Sequence, residues 1–291
     1  MRLGIHTSAS GSLERAALRA GELGANTFQI FSASPRMWRA RPVDPQQVKL
    51  MRAAREHWDL RPLAIHVSYL VNLATPVASI RTQSVEALRG ELERAAAIGA
   101  EFLVLHPGSY RDCSVEQGLA AFSLGLRDAA RGFKAPGLTL LLENTAGSGC
   151  HLGSRFEELR EIRERSANLI DVPIGFCLDT CHLLAAGFDI ATPAGLRATL
   201  RSAAEGLGWA NVHLIHANDS KTPLGSRVDR HAHIGKGHIG AEAFHRLLVH
   251  PQLRAKPFIL ETPIDQPGDD RRNLDTLKAL ARRTRPAVTG K

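Results

Sequence analysis

The chain has 291 residues, 44% hydrophobic and 23% charged, with a formal net charge of +8. These figures suit a soluble globular protein with a substantial core, built as one large domain or two small ones. The basic balance favours an anionic partner, most simply nucleic acid. The four cysteines, Cys113, Cys150, Cys177 and Cys181, do not form the framework of a secreted disulfide protein. They are expected to be buried, reduced thiols. The sequence shows no signal peptide and no membrane span, so a cytoplasmic location is expected.

One pattern recurs in chain order: a short apolar run, a polar or Gly-rich turn, then a segment of helical periodicity. The runs are "RLGIH" (2–6), "NTFQIF" (26–31), "PLAIH" (62–66), "FLVLH" (102–106), "LTLLLEN" (138–144), "IGFCLD" (174–179), "NVHLIHA" (211–217) and "PFILET" (257–262). Continuous apolar runs suit strands buried on both faces. The clearest helix spans 77–98, where Ile80, Ser84, Leu88, Leu92, Ala95 and Ile98 step by three or four and Gly99 marks the end. Eight strands alternating with helices, with no linker between them, predict a single (β/α)8 barrel over 1–291, with a core to about 284 and a short C-terminal tail. A doubly wound sheet lacks support, because no Gly-x-Gly-x-x-Gly follows a strand.

Six of these runs end on, or one residue after, His66, His106, Glu143, Asp179, His216 and Glu261. A barrel gathers the C-terminal ends of its strands around one pocket. Six metal-capable side chains at equivalent places are hard to read as capping residues. His182 follows Asp179 by three, where a helix is expected to start. Asp229 and His231 in "VDRHAHIGKG" are two apart, so an extended backbone points both the same way. Catalytic zinc takes about three protein ligands and keeps one position open, so nine donors suggest three ions. Mixed imidazole and carboxylate donors suit Zn²⁺, with Mn²⁺ possible in part. His6 and Gln29 are expected to support the rim. His57, His245 and His250 read as surface residues, and His213 as facing away from His216. His151, His233 and His238 read as loop residues around the site.

Several long blocks then resemble one family. They are "HVSYLVNLATP" (66–76), "HPGS" (106–109), "LLENTAGSG" (141–149), "GFCLDTCHLLAAGFD" (175–189), "HANDSKTPLGSRVDRHAHIGKGHIG" (216–240) and "FILETP" (258–263). Together they are similar to the endonuclease IV family of apurinic/apyrimidinic endonucleases, over nearly the whole chain. The departures, Ser12 for a common Gly and Ala217 for a bulkier apolar residue, touch no ligand. The resemblance implies a (β/α)8 barrel with three zinc ions that cleaves duplex DNA 5′ to an abasic site, leaving a 3′-hydroxyl and a 5′-deoxyribose phosphate. It also implies trimming of blocked 3′ ends. It groups His66, His106 and Glu143 at one ion. Glu143 is shared with a second ion, held also by Asp179, His216 and Glu261, and His182, Asp229 and His231 take the third. Glu143 and Glu261 are the expected catalytic residues, Glu261 orienting or deprotonating the attacking water.

Recognition must come from loops. "SPRMWRARP" (34–42) places Arg36, Arg39 and Arg41 around Trp38, a basic and aromatic mixture that suits a nucleic-acid strand. Tyr69 and Leu70 follow His66, and similar residues in the family enter the duplex to help extrude the abasic nucleotide. The expected partner is double-stranded DNA with abasic or 3′-blocked sites. A monomer suffices, because all nine donors lie in one chain. Two other readings compete. A sugar isomerase or epimerase on the same barrel needs one or two ions and leaves Asp229 and His231 idle. A non-catalytic damage-binding protein would use zinc for stability alone.

Overall fold

All eight apolar runs form strands. They are β1 (Leu3–His6), β2 (Phe28–Phe31), β3 (Leu63–His66), β4 (Phe102–Leu105), β5 (Thr139–Glu143), β6 (Ile174–Asp179), β7 (Val212–His216) and β10 (Phe258–Leu260). A computed structural model describes residues 1–40 and 42–283. Arg41 and the expected C-terminal tail lie outside the described residues. The eight strands are parallel and close in the order β1-β10-β7-β6-β5-β4-β3-β2. Two-residue strands β8 (Asp219–Ser220) and β9 (His231–Ala232) form a separate antiparallel pair beyond β7.

Among the described residues the helices are α1 (Leu13–Glu22), α2 (Pro45–His57), α3 (Ala78–Ile98), α4 (Val115–Ala129), α5 (Phe156–Ser166), α6 (Thr180–Ala186), α7 (Pro193–Gly206), α8 (Ala241–Val249) and α9 (Asp269–Arg282). Local chemistry sets their ends. Ser12 caps α1 by accepting the Arg15 N–H at 3.1 Å, which gives that departure from the family a structural role. Ser114 and Gln117 form a reciprocal capping box on α4. Gly99 ends α3 at φ +79°, a conformation that favours glycine. Ser84, Leu88, Leu92, Ala95 and Ile98 form the buried face the sequence predicted, while Ile80 is half-buried. No helix among the described residues is long and apolar enough to cross a membrane.

The large apolar core lies between strands and helices. A second, small cluster of Ala64, Val104, Leu141, Cys177, Leu214 and Ile259 fills the barrel interior. Each of these residues precedes a site residue by two: His66, His106, Glu143, Asp179, His216 and Glu261. Strand alternation therefore points those six inward, one layer above an apolar plug. His106 and Glu261 sit one residue past their strands.

Two histidines differ from expectation. His213 was expected to face away from His216, but the β6–β7 register slips between Phe176 and Cys177, and Leu214 rather than His213 pairs with Cys177. This bulge turns the His213 ring over Gly175, where an added Cβ would lie 2.3 Å from ring carbon Cδ2, and 5.9 Å from the Phe102 ring. His245 is buried instead of exposed, and its Nδ1 lies 2.9 Å from the Leu280 carbonyl on α9. All four cysteines are free thiols, but Cys113 and Cys150 are only half-buried.

Candidate metal centre

The nine predicted side chains converge at the C-terminal mouth of the barrel. Their donor atoms fall into three groups, each within 4.8 Å: His66, His106 and Glu143; Glu143, Asp179, His216 and Glu261; and His182, Asp229 and His231. Glu143 joins the first two. Its Oε2 lies 3.1 Å from His66 Nε2 and 3.0 Å from His106 Nε2, and its Oε1 lies 2.9 Å from His216 Nδ1. Asp229 spans the third group, with Oδ2 3.1 Å from His182 Nε2 and Oδ1 3.2 Å from His231 Nε2.

The far side of each ring fixes its orientation. Nδ1 of His66, His182 and His231 lies 2.8, 2.8 and 3.0 Å from the carbonyls of Val67, Asn144 and Glu261. A carbonyl only accepts, so each Nδ1 carries the proton and each neutral ring turns a bare Nε2 into the site. Those lone pairs face carboxylate oxygens, which also only accept. Buried His231 Nε2 makes no well-aligned hydrogen bond, although Asp229 Oδ1 lies 3.2 Å away. Acceptors facing acceptors at about 3 Å require either protonated rings or cations between them, and the donor set fits zinc.

The titration behaviour follows. Burial pulls His66, His182 and His216 down, but it is outweighed and all three are held above the ordinary value, His66 and His182 by the surrounding carboxylates and His216 by Cys177 together with Glu261 and Glu143. His231 is likewise lowered by burial but raised to about 9 by Asp229, Asp179 and Glu261. Burial would raise Glu143 and Glu261. Nearby imidazoles, His216 foremost, instead hold Glu143 well below the carboxylate range and Glu261 at about 2. Burial lowers His6 to about 4, so it is neutral at neutral pH. Cys177 and Cys181 also lie near the donors, but burial pushes both thiols up to about 12, so they are weaker candidates than the imidazoles and carboxylates.

The xylose isomerase-like TIM barrel family matches residues 17–283. A "Probable endonuclease 4" of Solibacter usitatus (strain Ellin6076) is 70% identical over 281 residues, covering 97% of each chain. The crystal structure of endonuclease IV from Thermus thermophilus superposes with a TM-score of 0.84 at 39% identity, covering 96% of this chain and 98% of that one. This chain belongs to the endonuclease IV family. A D-tagatose 3-epimerase-like protein superposes with a TM-score of 0.69, but at 21% identity it shares the fold alone.

The loops of this endonuclease IV family member frame the centre. Tyr69 is 62% exposed, whereas Leu70 beside it is half-buried. Ser68 Oγ donates to the Pro35 carbonyl at 2.7 Å and ties the Tyr69 loop to the Arg36 loop. Arg36 is exposed and borders a cleft of about 550 Å³ shared with His6, Ser10, Ser34 and Ile264. Arg36 also borders a cavity of about 830 Å³ against α3, lined by half-buried Trp38 with Arg39, Glu86 and Arg94.

Two residues central to the site were missed in the sequence. Asn218 Nδ2 donates to Asp179 Oδ2 at 2.6 Å and to Glu261 Oε2 at 3.2 Å. Asp219, fully buried, accepts backbone N–H groups from Ser220, Gly235, Gly237, Ile239 and Gly240 at 2.8–3.3 Å. This pins the "HIGKGHIG" loop to the β8–β9 pair that carries His231. Gly237 is required by close approach, because an added Cβ would lie 2.3 Å from the Ser220 carbonyl oxygen. The available signal was position: they lie two and three residues past the strand-end His216.

Proposed function

We propose that this chain is a zinc-dependent DNA-repair endonuclease. It hydrolyses the phosphodiester 5′ to an abasic site in duplex DNA, leaving a 3′-hydroxyl and a 5′-deoxyribose phosphate, and it trims blocked 3′ ends. The observation that carries this reading is one buried carboxylate, Glu143, shared by two donor groups with a third group alongside. Family membership and the relatives named endonuclease 4 point the same way. In this reading His66, His106 and Glu143 hold the first ion. Glu143, Asp179, His216 and Glu261 hold the second, and His182, Asp229 and His231 hold the third. Zinc is the expected ion, with manganese able to replace part of it. Bound zinc supplies Lewis-acid polarisation of the phosphate and nucleophilic hydroxide near neutral pH.

The chain's own groups complete the reaction. Glu261, ionised at neutral pH, orients the attacking water and accepts its proton. The water oxygen bonds to phosphorus, the bond from phosphorus to the 3′ oxygen breaks, and that oxygen takes a proton from solvent to leave as the 3′-hydroxyl. Arg36 binds backbone phosphate. Exposed Tyr69, with half-buried Leu70 next to it in sequence, fills the gap left when the abasic nucleotide swings out. One chain suffices, since it carries all nine donors. A sugar isomerase would leave Asp229 and His231 without a task, although both face His182.

The test is incision of a duplex oligonucleotide carrying one abasic analogue, before and after prolonged chelation. Cleavage 5′ to the analogue, lost on chelation and restored by zinc, is expected. Zinc-loaded protein that binds this DNA without cutting it would sink the proposal.

A further inference from the structure

Gln29 is fully buried at the mouth of the barrel on β2, and all of its polar atoms are engaged. Its Nε2 donates to Glu261 Oε1 at 2.6 Å and lies 3.1 Å from His6 Nδ1. Its Oε1 lies 2.9 Å from His216 Nε2. Ionised Glu261 only accepts, which fixes the amide's orientation. The Gln29 oxygen also only accepts, so His216 must carry its proton on Nε2. The bare nitrogen of His216 is then Nδ1, 2.9 Å from Glu143 and 3.3 Å from Glu261. His216 thus uses the opposite nitrogen from His66, His182 and His231.

Asn218 does matching work on the other side. It holds Glu261 Oε2 and Asp179 Oδ2 with one amide nitrogen, and its Oδ1 accepts the Glu261 backbone N–H at 2.8 Å. An unbroken chain runs Asp179–Asn218–Glu261–Gln29–His216. Two amides therefore connect three of the four donors of one group.

We propose that Gln29 is a positioning residue for the second metal ion. It selects the nitrogen that His216 offers and sets the rotamer of Glu261, with Asn218 as its counterpart. This rests on the metal-centre reading above. None of Gln29's hydrogen-bond partners, His6, Glu261 and His216, belongs to the first or third donor group, so the effect of losing Gln29 is selective. Met is close to Gln in volume but offers neither hydrogen bond, so Gln29→Met removes the clamp and keeps the packing.

The experiment measures zinc retention against a graded chelator, by mass spectrometry of the intact Gln29→Met and wild-type chains, alongside steady-state incision. The expected result is one ion of three held about 10–100-fold more weakly, the usual range for losing a group that orients a ligand. The other two should be held as in wild type, with kcat lowered and KM for DNA unchanged. Three ions held at wild-type strength with unchanged kcat would overturn the proposal, as would equal weakening of all three. Should the variant not fold, ¹⁵N NMR of His216 in the zinc-loaded wild-type chain decides. A protonated Nε2 supports the assignment, and a protonated Nδ1 overturns it. The zinc readout uses no DNA, so a wild-type chain that binds three ions but fails to cut sinks the function and leaves this test intact.

Discussion

Asp219 offers the sharpest link between an unremarked side chain and the third donor group. Replacing it with Asn keeps the shape and removes the charge. In the protein, Oδ1 accepts from Ser220 and Ile239, while Oδ2 accepts from Gly235, Gly237 and Gly240. Whichever oxygen becomes NH₂, at least two backbone donors then face another donor. Each hydrogen bond to a charged group contributes ~1.5–3 kcal/mol, so the loop loses about 3 kcal/mol at the least. Local opening of residues 233–240 relieves this more cheaply than unfolding the barrel. The same loop holds β8 against β9, where Ser220 pairs with His231. Asp219→Asn should therefore raise amide hydrogen exchange at Gly235, Gly237 and Ile239 and weaken zinc at the His182–Asp229–His231 group. Barrel amides such as Leu141 should stay protected. Unchanged exchange at Gly237 together with undiminished zinc content would refute the reasoning.

Three further outcomes are expected. Glu261→Gln should lower single-turnover incision by about 10²–10⁴, the usual contribution of a general base, while duplex binding in a gel-shift assay is retained; near-normal turnover would remove Glu261 from that role. Tyr69→Ala should cut the preference for abasic over intact duplex about tenfold, since one stacked aromatic contributes ~1–3 kcal/mol. An unchanged ratio of the two Kd values would count against the wedge. Zinc uptake should release protons at pH 7, measurable with an indicator dye. Without metal, His231, raised to about 9, is protonated there, and zinc must displace that proton; His66, His182 and His216 are shifted in the same direction. By the same sign, their pairing with carboxylates stabilises the stripped chain below about 6.5, and that contribution fades as pH rises through about 9 for His231. Zinc affinity should thus climb with pH, and equal affinity at acid and alkaline pH would contradict this.

The strands were legible as continuous apolar runs, and the ligand ring as the metal-capable residues at their C-terminal ends. An apolar residue in the plug is followed two positions later by a metal-capable one, on six strands. His213 escaped because parity counting fails at a bulge, which is a property of pairing between strands rather than of one segment. His245 escaped because its partner is the carbonyl of Leu280, an element away on α9. Asn218 and Asp219 escaped for a related reason. Their partners, Glu261 and the backbone N–H groups of 235–240, meet them only once the barrel has closed. Gln29 was legible as a rim residue, but not as the bridge from His216 to Glu261. The trio of His182, Asp229 and His231 came from resemblance, and the geometry brings all three within 4.8 Å.

That trio separates a three-ion centre from the simpler sites of other barrels on this fold. The most direct measurement is zinc content of wild-type and Asp229→Ala chains by mass spectrometry, with abasic-site incision followed on the same samples. Three ions in wild type, two in the variant and a large loss of cleavage are predicted. An Asp229→Ala chain that keeps both its zinc and its cleavage would contradict the trinuclear account.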